Sequence, residues 1–306
     1  MNKFTDKDDD LKCAPSKRFD SDARTCFSIQ QLQSIANSYN KTTANKIIVT
    51  NDKKDLLRKL ISKLDKACND QVCLLQESFV RNVDDFDMLY NTFRPQGPSY
   101  KFQWLSTSDI NQVMIQYMEA YKDFIFFGAL PIDFKEIKVP ISFDNFFKTL
   151  SNMYKDGKRR IGYVFNMDRH DQSGSHWMGL FADLGKNQVY FFDSAEDHSS
   201  HKPKKQIIGL MKTIAIWCYY HNIKKQEPDS ELCSLEFFGN SKNVVEKVID
   251  VQYNKVQHQR GNSECGVYSI NFIVRLLKGD SFNTIIDKPI DDKTINDFRK
   301  IIFRFK

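Results

Sequence analysis

The sequence predicts an α+β fold, and three observations point to it. Stretches with helical apolar spacing and runs of strand-like apolar residues both occur, but they do not alternate strictly as parallel βαβ units require. Helical signals dominate the first part of the 306-residue chain. A Pro/Gly cluster, Arg94-Pro95-Gln96-Gly97-Pro98, then separates that part from a longer mixed region. The expected organisation is an N-terminal helical arm over 1–90 and a larger domain over 91–306.

Residues 1 to about 25 are polar. Ser28 and Gln31 form a capping-box pattern ahead of Leu32, Ile35 and Ala36 at helical spacing. The same period returns in Leu56, Leu57, Leu60, Ile61 and Leu64, and a third apolar stretch runs from Val72 to Leu89. Beyond the boundary, helices are expected over 108–121, 143–154 and 203–220. Strands are expected over 161–166, 176–182, 188–193, 234–238 and 248–256. An apolar helix starting at Cys265 and a closing helix over about 294–305 complete the chain.

Hydrophobic content of 41% and aromatic content of 13%, with 25 Phe, fit a chain that buries a core rather than a disordered one. The net charge of +6 is the small difference between 45 basic and 39 acidic residues. The basic clusters, Lys158-Arg159-Arg160, Lys202-Pro203-Lys204-Lys205 and Lys224-Lys225, are short and dispersed, so a solvated surface is expected more than a DNA footprint. Seven cysteines without a recognisable framework suggest a reducing compartment; Cys13, Cys26, Cys68 and Cys73 lack convincing zinc spacing, and no metal or cofactor is expected. The charged start, Met1 to Asp10, is unlike a secretory signal, and no run of about eighteen apolar residues suggests a membrane span.

The chemistry gathers around Cys265. It opens a buried helix, where the positive end of the helix dipole favours thiolate over thiol. His176 heads a strand-like run and can act as the base for a thiol nucleophile. Seventeen residues on, Asp193 ends the next strand-like run. If those strands pair around the turn near Gly185-Lys186-Asn187, both residues come to one end of the sheet, where the carboxylate orients the imidazole. Gln259 lies six residues before Cys265 and can direct its amide to the oxyanion beside the Cys265 N–H. His258 is expected on the face opposite Gln259, as a bystander. His170, His198, His201 and His221 lack partners at ligand spacing and are expected to be exposed.

The block His258-Gln259-Arg260-Gly261-Asn262-Ser263-Glu264-Cys265-Gly266, the segment Gly174-Ser175-His176-Trp177, and the ending Phe298 to Arg304 resemble the Ulp/adenain clan of cysteine proteases. Within that clan, these features resemble the polyprotein-processing proteases of African swine fever virus and related large DNA viruses. The resemblance spans roughly residues 92–306. It implies a papain-like core, a Cys265–His176–Asp193 triad with Gln259 at the oxyanion, and no cofactor. It also implies that Trp104-Leu105-Ser106, Asp109 and Trp177 line a narrow substrate slot suited to Gly-Gly, since residues without side chains thread where larger ones clash.

The expected function is therefore that of a viral cysteine endopeptidase. It would cleave structural polyprotein precursors at Gly-Gly during virion maturation, in the host cytoplasm and the virion. One alternative is a protease that removes SUMO-like or ubiquitin-like modifiers. A second, from another class, is a non-catalytic protein of the particle that binds DNA or capsid. No membrane partner is expected.

Overall fold

The computed structural model describes residues 12–64, 71–84, 87, 89, 91–100, 102–137, 145–198, 202–228, 245 and 247–305. They form two compact units, Met1–Gly97 with Lys300–Lys306, and Pro98–Arg299. The division thus falls seven residues later than the expected 90/91, inside the Pro/Gly cluster, and the last residues group with the first unit. Their attachment is local: Arg304 Nε donates to Arg94 O at 2.9 Å, and Gly97 N–H donates to Arg304 O at 2.9 Å.

The first unit is built on α1 (Ile29–Thr42) and α2 (Lys53–Ile61). Ser28 and Gln31 close the predicted capping box, satisfying two N–H groups at the start of α1. Leu32, Ile35 and Ala36 of α1 pack with Leu56, Leu57 and Leu60 of α2 in one apolar core. The stretch from Val72 forms short 3-10 turns, Gln71–Gln76 and Val80–Asn82, over the same core. Cys13 and Cys26 form a disulfide with Cα atoms 5.4 Å apart, and Cys73 is also disulfide-bonded. This corrects the expectation of reduced thiols throughout: the Asp20–Thr25 bridge folds the chain between Cys13 and Cys26 back on itself, a closure their spacing does not announce.

The second unit contains α3 (Thr107–Ala120), β1 (Phe124–Leu130), α4 (Phe146–Lys155), β2 (Arg160–Asn166), β3 (Trp177–Asp183), β4 (Gln188–Phe192), α5 (Lys205–Cys218), β5 (Asp250–Tyr253), α6 (Cys265–Leu277), α7 (Phe282–Asp287) and α8 (Asp292–Ile302) up to Arg299, the rest of α8 grouping with the first unit. Among the described residues the sheet order is β1-β2-β3-β4-β5, antiparallel across β2-β3-β4 and parallel at both edges. Strand β1 and helix α7 were not anticipated, and the expected strand over 234–238 lies outside the described residues.

Strand periodicity divides the core between two faces. Ile161, Tyr163 and Phe165 of β2, with Leu180 of β3 and Phe191 of β4, pack in one cluster with Ile207, Leu210, Ile214 and Trp217 of α5. On the opposite face lie Gly162, Gly179 and Phe192, against α6. A Cβ on Gly179 would stand 3.0 Å from Phe272 and 3.3 Å from the Ser269 carbonyl, so this glycine permits the helix backbone to approach β3. That approach sets the start of α6 near the start of β3.

Candidate active site

The register of the β3–β4 hairpin, with Gly179 opposite Phe192, brings the residue before β3 and the residue after β4 to one end of the sheet. Asp183 accepts from the N–H groups of Gly185 and Lys186 at 3.1 and 3.0 Å, and Asn187 takes a left-handed φ of 58°. His176 and Asp193 consequently meet, with Nε2 2.6 Å from Oδ1. Asp193 is buried, and the His176 side chain is only 13% exposed.

His176 also interacts with Cys265, so the imidazole stands between carboxylate and thiol. Burial works against its charge, but Asp193 first and Cys265 second outweigh it and raise its pKa to about 10. With Nε2 engaged by Asp193, Nδ1 is the ring nitrogen left for sulfur. The His176 carbonyl accepts from Met167 N–H at 2.8 Å. Asn166 Oδ1 accepts from Asp168 and Ser175 N–H at 3.0 and 3.3 Å, fixing both ends of the loop that leads to the histidine.

Cys265 is the first residue of α6, buried at 3% exposure. N–H groups in a first helical turn have no intrahelical acceptor, so this position can bind developing negative charge. Leu105 packs against Gly266; a Cβ there would lie 3.1 Å from the leucine side chain. Gln259 is buried, its Oε1 accepting from Ser194 Oγ at 2.7 Å and its Nε2 donating to Gly261 O at 3.0 Å. Ser194 O also accepts from the N–H groups of His258 and Gln259, tying the residue after Asp193 to the segment after β5 that carries the amide. Since Nε2 has two hydrogens, one remains for a ligand.

A cleft of about 510 Å³ reaches His176 and is lined by Trp104, Leu105, Ser106 and Trp177, among others. Trp104 is 46% exposed over it, whereas Trp177 is buried and donates its indole N–H to Leu105 O at 2.8 Å. Ser106 and Asp109 form the capping box of α3, and Asp109 is not among the cleft residues: its carboxylate accepts from Ser106 N–H and Oγ at 2.8 and 2.7 Å.

The other histidines depart from their expected exposure in part. His198 is buried between Phe191 and Tyr253, and His221 stacks on Trp217 at 4.5 Å, because aromatic neighbours from distant segments cover both. His170 is exposed but not alone, with Nδ1 2.6 Å from the buried Asp133. His201 lies outside the described residues. His258 sits against Phe192 and Tyr268, and burial lowers its pKa to about 4, unsuited to a base near neutrality.

Sequence reasoning missed Asn254. Fully buried, it accepts from Asp193 N–H at 2.9 Å and donates Nδ2 to Asp193 O at 2.7 Å. No local pattern marks it, since its partners lie 61 residues away.

Residues 164–304 match the Ulp1 protease family, C-terminal catalytic domain. A protein of Acanthamoeba polyphaga mimivirus named as a thiol protease is 34% identical over 95% of this chain and 93% of its own length. A protein of African swine fever virus named as a SUMO-1 cysteine protease is 22% identical over 82% of the chain and 88% of its own. The crystal structure of the selenomethionine African swine fever virus protease superposes with a TM-score of 0.60 at 18% identity, covering 96% of this chain and 97% of that one. These findings bear out the resemblance read from the residues. With the mimivirus similarity running through nearly its full length, the chain belongs to the Ulp1 protease family and is a cysteine-type peptidase.

Proposed function

We propose that this peptidase cleaves viral structural polyprotein precursors after Gly-Gly, with Cys265 as nucleophile. The observation that carries the assignment is the buried 2.6 Å His176–Asp193 contact beside Cys265 at the head of α6. Cys265 passes its thiol proton to His176, and Sγ attacks the scissile carbonyl carbon, forming a C–S bond while the carbonyl π pair moves to oxygen. Gln259 Nε2 and the Cys265 N–H receive that oxyanion. His176, held by Asp193, gives its proton to the leaving amine as the C–N bond breaks, and an acyl-enzyme remains. Water, deprotonated by His176, then attacks the thioester carbon; the C–S bond breaks, the acid is released and Cys265 is regenerated.

The Gly-Gly preference is supported by the cleft: Trp104 and Trp177 both line it, and the indole of Trp177 fixes the Leu105 backbone. A substrate strand lying close against such walls is best accommodated where its residues lack Cβ atoms. The viral relatives support a cysteine peptidase of viral origin; precursor processing in the host cytoplasm and in the virion is the role proposed for it. The N-terminal unit, which carries none of the proposed catalytic groups, is proposed to contribute to binding of the intact precursor.

A second reading is favoured by one observation: the swine fever relative is named for SUMO-1. Family membership sets aside a non-catalytic particle protein. The two peptidase readings separate on kcat/KM, measured with a viral precursor carrying Gly-Gly, the same precursor with Ala-Ala, and a SUMO-linked conjugate. Preference for the Gly-Gly precursor supports the proposal. Faster turnover of the conjugate overturns it.

A further inference from the structure

Between Gln259 and Cys265 the chain runs through Arg260 to Glu264 without helix or strand, yet it must hold the two oxyanion donors in fixed relation. Its backbone groups are held instead by one face of α8. Asp292, Asn296 and Arg299 are spaced by four and three residues, so they form a single stripe along that helix. Asp292 Oδ2 accepts from the N–H groups of Arg260 at 3.0 Å and Gly261 at 2.7 Å. Asn296 Nδ2 donates to Glu264 Oε1 at 3.0 Å, and Arg299 Nη2 donates to Ser263 O at 2.9 Å.

The stripe and the loop are cross-braced. Arg299 Nε donates to Asn296 Oδ1 at 2.9 Å, and Glu264 accepts from Ser263 N–H and Oγ at 2.9 and 2.6 Å. The Tyr268 hydroxyl, from the first turn of α6, lies 3.0 Å from Asp292 Oδ1 and 2.7 Å from Ile290 O. Arg299 is only 1% exposed and Glu264 6%. Burial opposes the charge on Glu264, but Ser263, Asn296 and Arg299 together hold its carboxyl below the usual range, so it is ionised beside the nucleophile. Burial lowers the Arg299 pKa, with Glu264 and then Cys265 opposing that shift.

We infer that Asp292, Asn296 and Arg299 are positioning residues, and that α8 acts as the template fixing the Gln259–Cys265 loop in its oxyanion-binding geometry. The inference rests on the assignment of Cys265 and Gln259 made above. These residues do not touch the reacting atoms, and they act through hydrogen bonds to the loop backbone and to Glu264. Disturbing these hydrogen bonds while the Arg299 charge is kept therefore lowers turnover without altering substrate affinity or the Cys265–His176 pair.

The test uses the full chain with Asp292→Ala, Asp292→Asn and the buried-site variant Arg299→Lys. Two rates are measured: hydrolysis of a peptide amide that the wild type cleaves, and alkylation of Cys265 by iodoacetamide, a reaction that needs no oxyanion donor. Asp292→Ala is expected to lower kcat roughly 10- to 100-fold, the scale of a small misplacement of catalytic groups, with KM and alkylation unchanged. Asp292→Asn keeps an acceptor oxygen and recovers most of kcat. Arg299→Lys retains the charge but loses the fork, and lowers kcat with the same unchanged alkylation. Wild-type kcat in Asp292→Ala, or alkylation falling in step with hydrolysis, overturns the inference while the triad assignment stands. Hydrolysis by Cys265→Ala overturns both.

Discussion

The side-chain amide of Asn254 spans the backbone of Asp193, accepting from its N–H at 2.9 Å and donating to its carbonyl at 2.7 Å. The same Nδ2 lies 3.1 Å from the carbonyls of Glu196 and Val256. A residue with no contact to the reacting atoms thereby fixes where the carboxylate meets His176. Asn254→Ala leaves several buried backbone groups without partners, each costing ~1–3 kcal/mol. The expected outcome is a clear loss of stability in urea unfolding together with reduced kcat. Unchanged unfolding would show that the clasp contributes nothing.

Gln259→Ala tests the oxyanion role. Loss of one donor aimed at the transition state is expected to lower kcat ~10²–10³-fold with KM nearly constant, as read from steady-state kinetics. An effect confined to KM contradicts the role.

Two histidines shape stability against pH in opposite senses. His176 binds its proton more tightly folded than unfolded, with a pKa near 10 against an ordinary 6.5, so its contribution is complete below 6.5 and is lost as pH rises toward 10. His258 has its pKa lowered to about 4, so between 6.5 and 4 the unfolded chain takes up a proton that the folded chain refuses, and stability falls as pH falls. Unfolding free energies across this range are expected to be greatest near pH 6.5. His258→Phe should flatten the acid limb and Asp193→Asn the alkaline one. Unaltered limbs in these variants would contradict the assignments.

Gly179 is expected to be intolerant of even one methyl. In Gly179→Ala, contacts of 3.0 Å with Phe272 and 3.3 Å with the Ser269 carbonyl force α6 outward, costing ~1–3 kcal/mol as overpacking. Because α6 carries Cys265, hydrolysis should fall as well. A variant with wild-type melting temperature and activity would refute the close-approach argument.

The features legible in the sequence were those written in local pattern. Ser28 and Gln31 announced the start of α1, and strand periodicity around a Gly-Lys-Asn turn was sufficient to bring His176 to Asp193. Strand β1 escaped notice because Phe124–Leu130 is apolar almost without alternation, buried at a parallel edge where period two is hidden. Asn254, the Cys13–Cys26 disulfide and the α8 stripe depend on partners brought together only by tertiary folding. In the sequence, Asp292, Asn296 and Arg299 read as ordinary polar positions of a closing amphipathic helix, and only the loop opposite them reveals what they bind.

The central claim, that His176 activates Cys265 for attack on a carbonyl after Gly-Gly, is tested most directly by covalent labelling. Wild-type, Cys265→Ala and His176→Ala proteins are incubated with a peptide vinyl sulfone ending in Gly-Gly, and the adduct is located by mass spectrometry. The prediction is one adduct on Cys265 in the wild type, none in Cys265→Ala, and markedly slower labelling in His176→Ala. Labelling at another residue, or equal rates in wild type and His176→Ala, would contradict it.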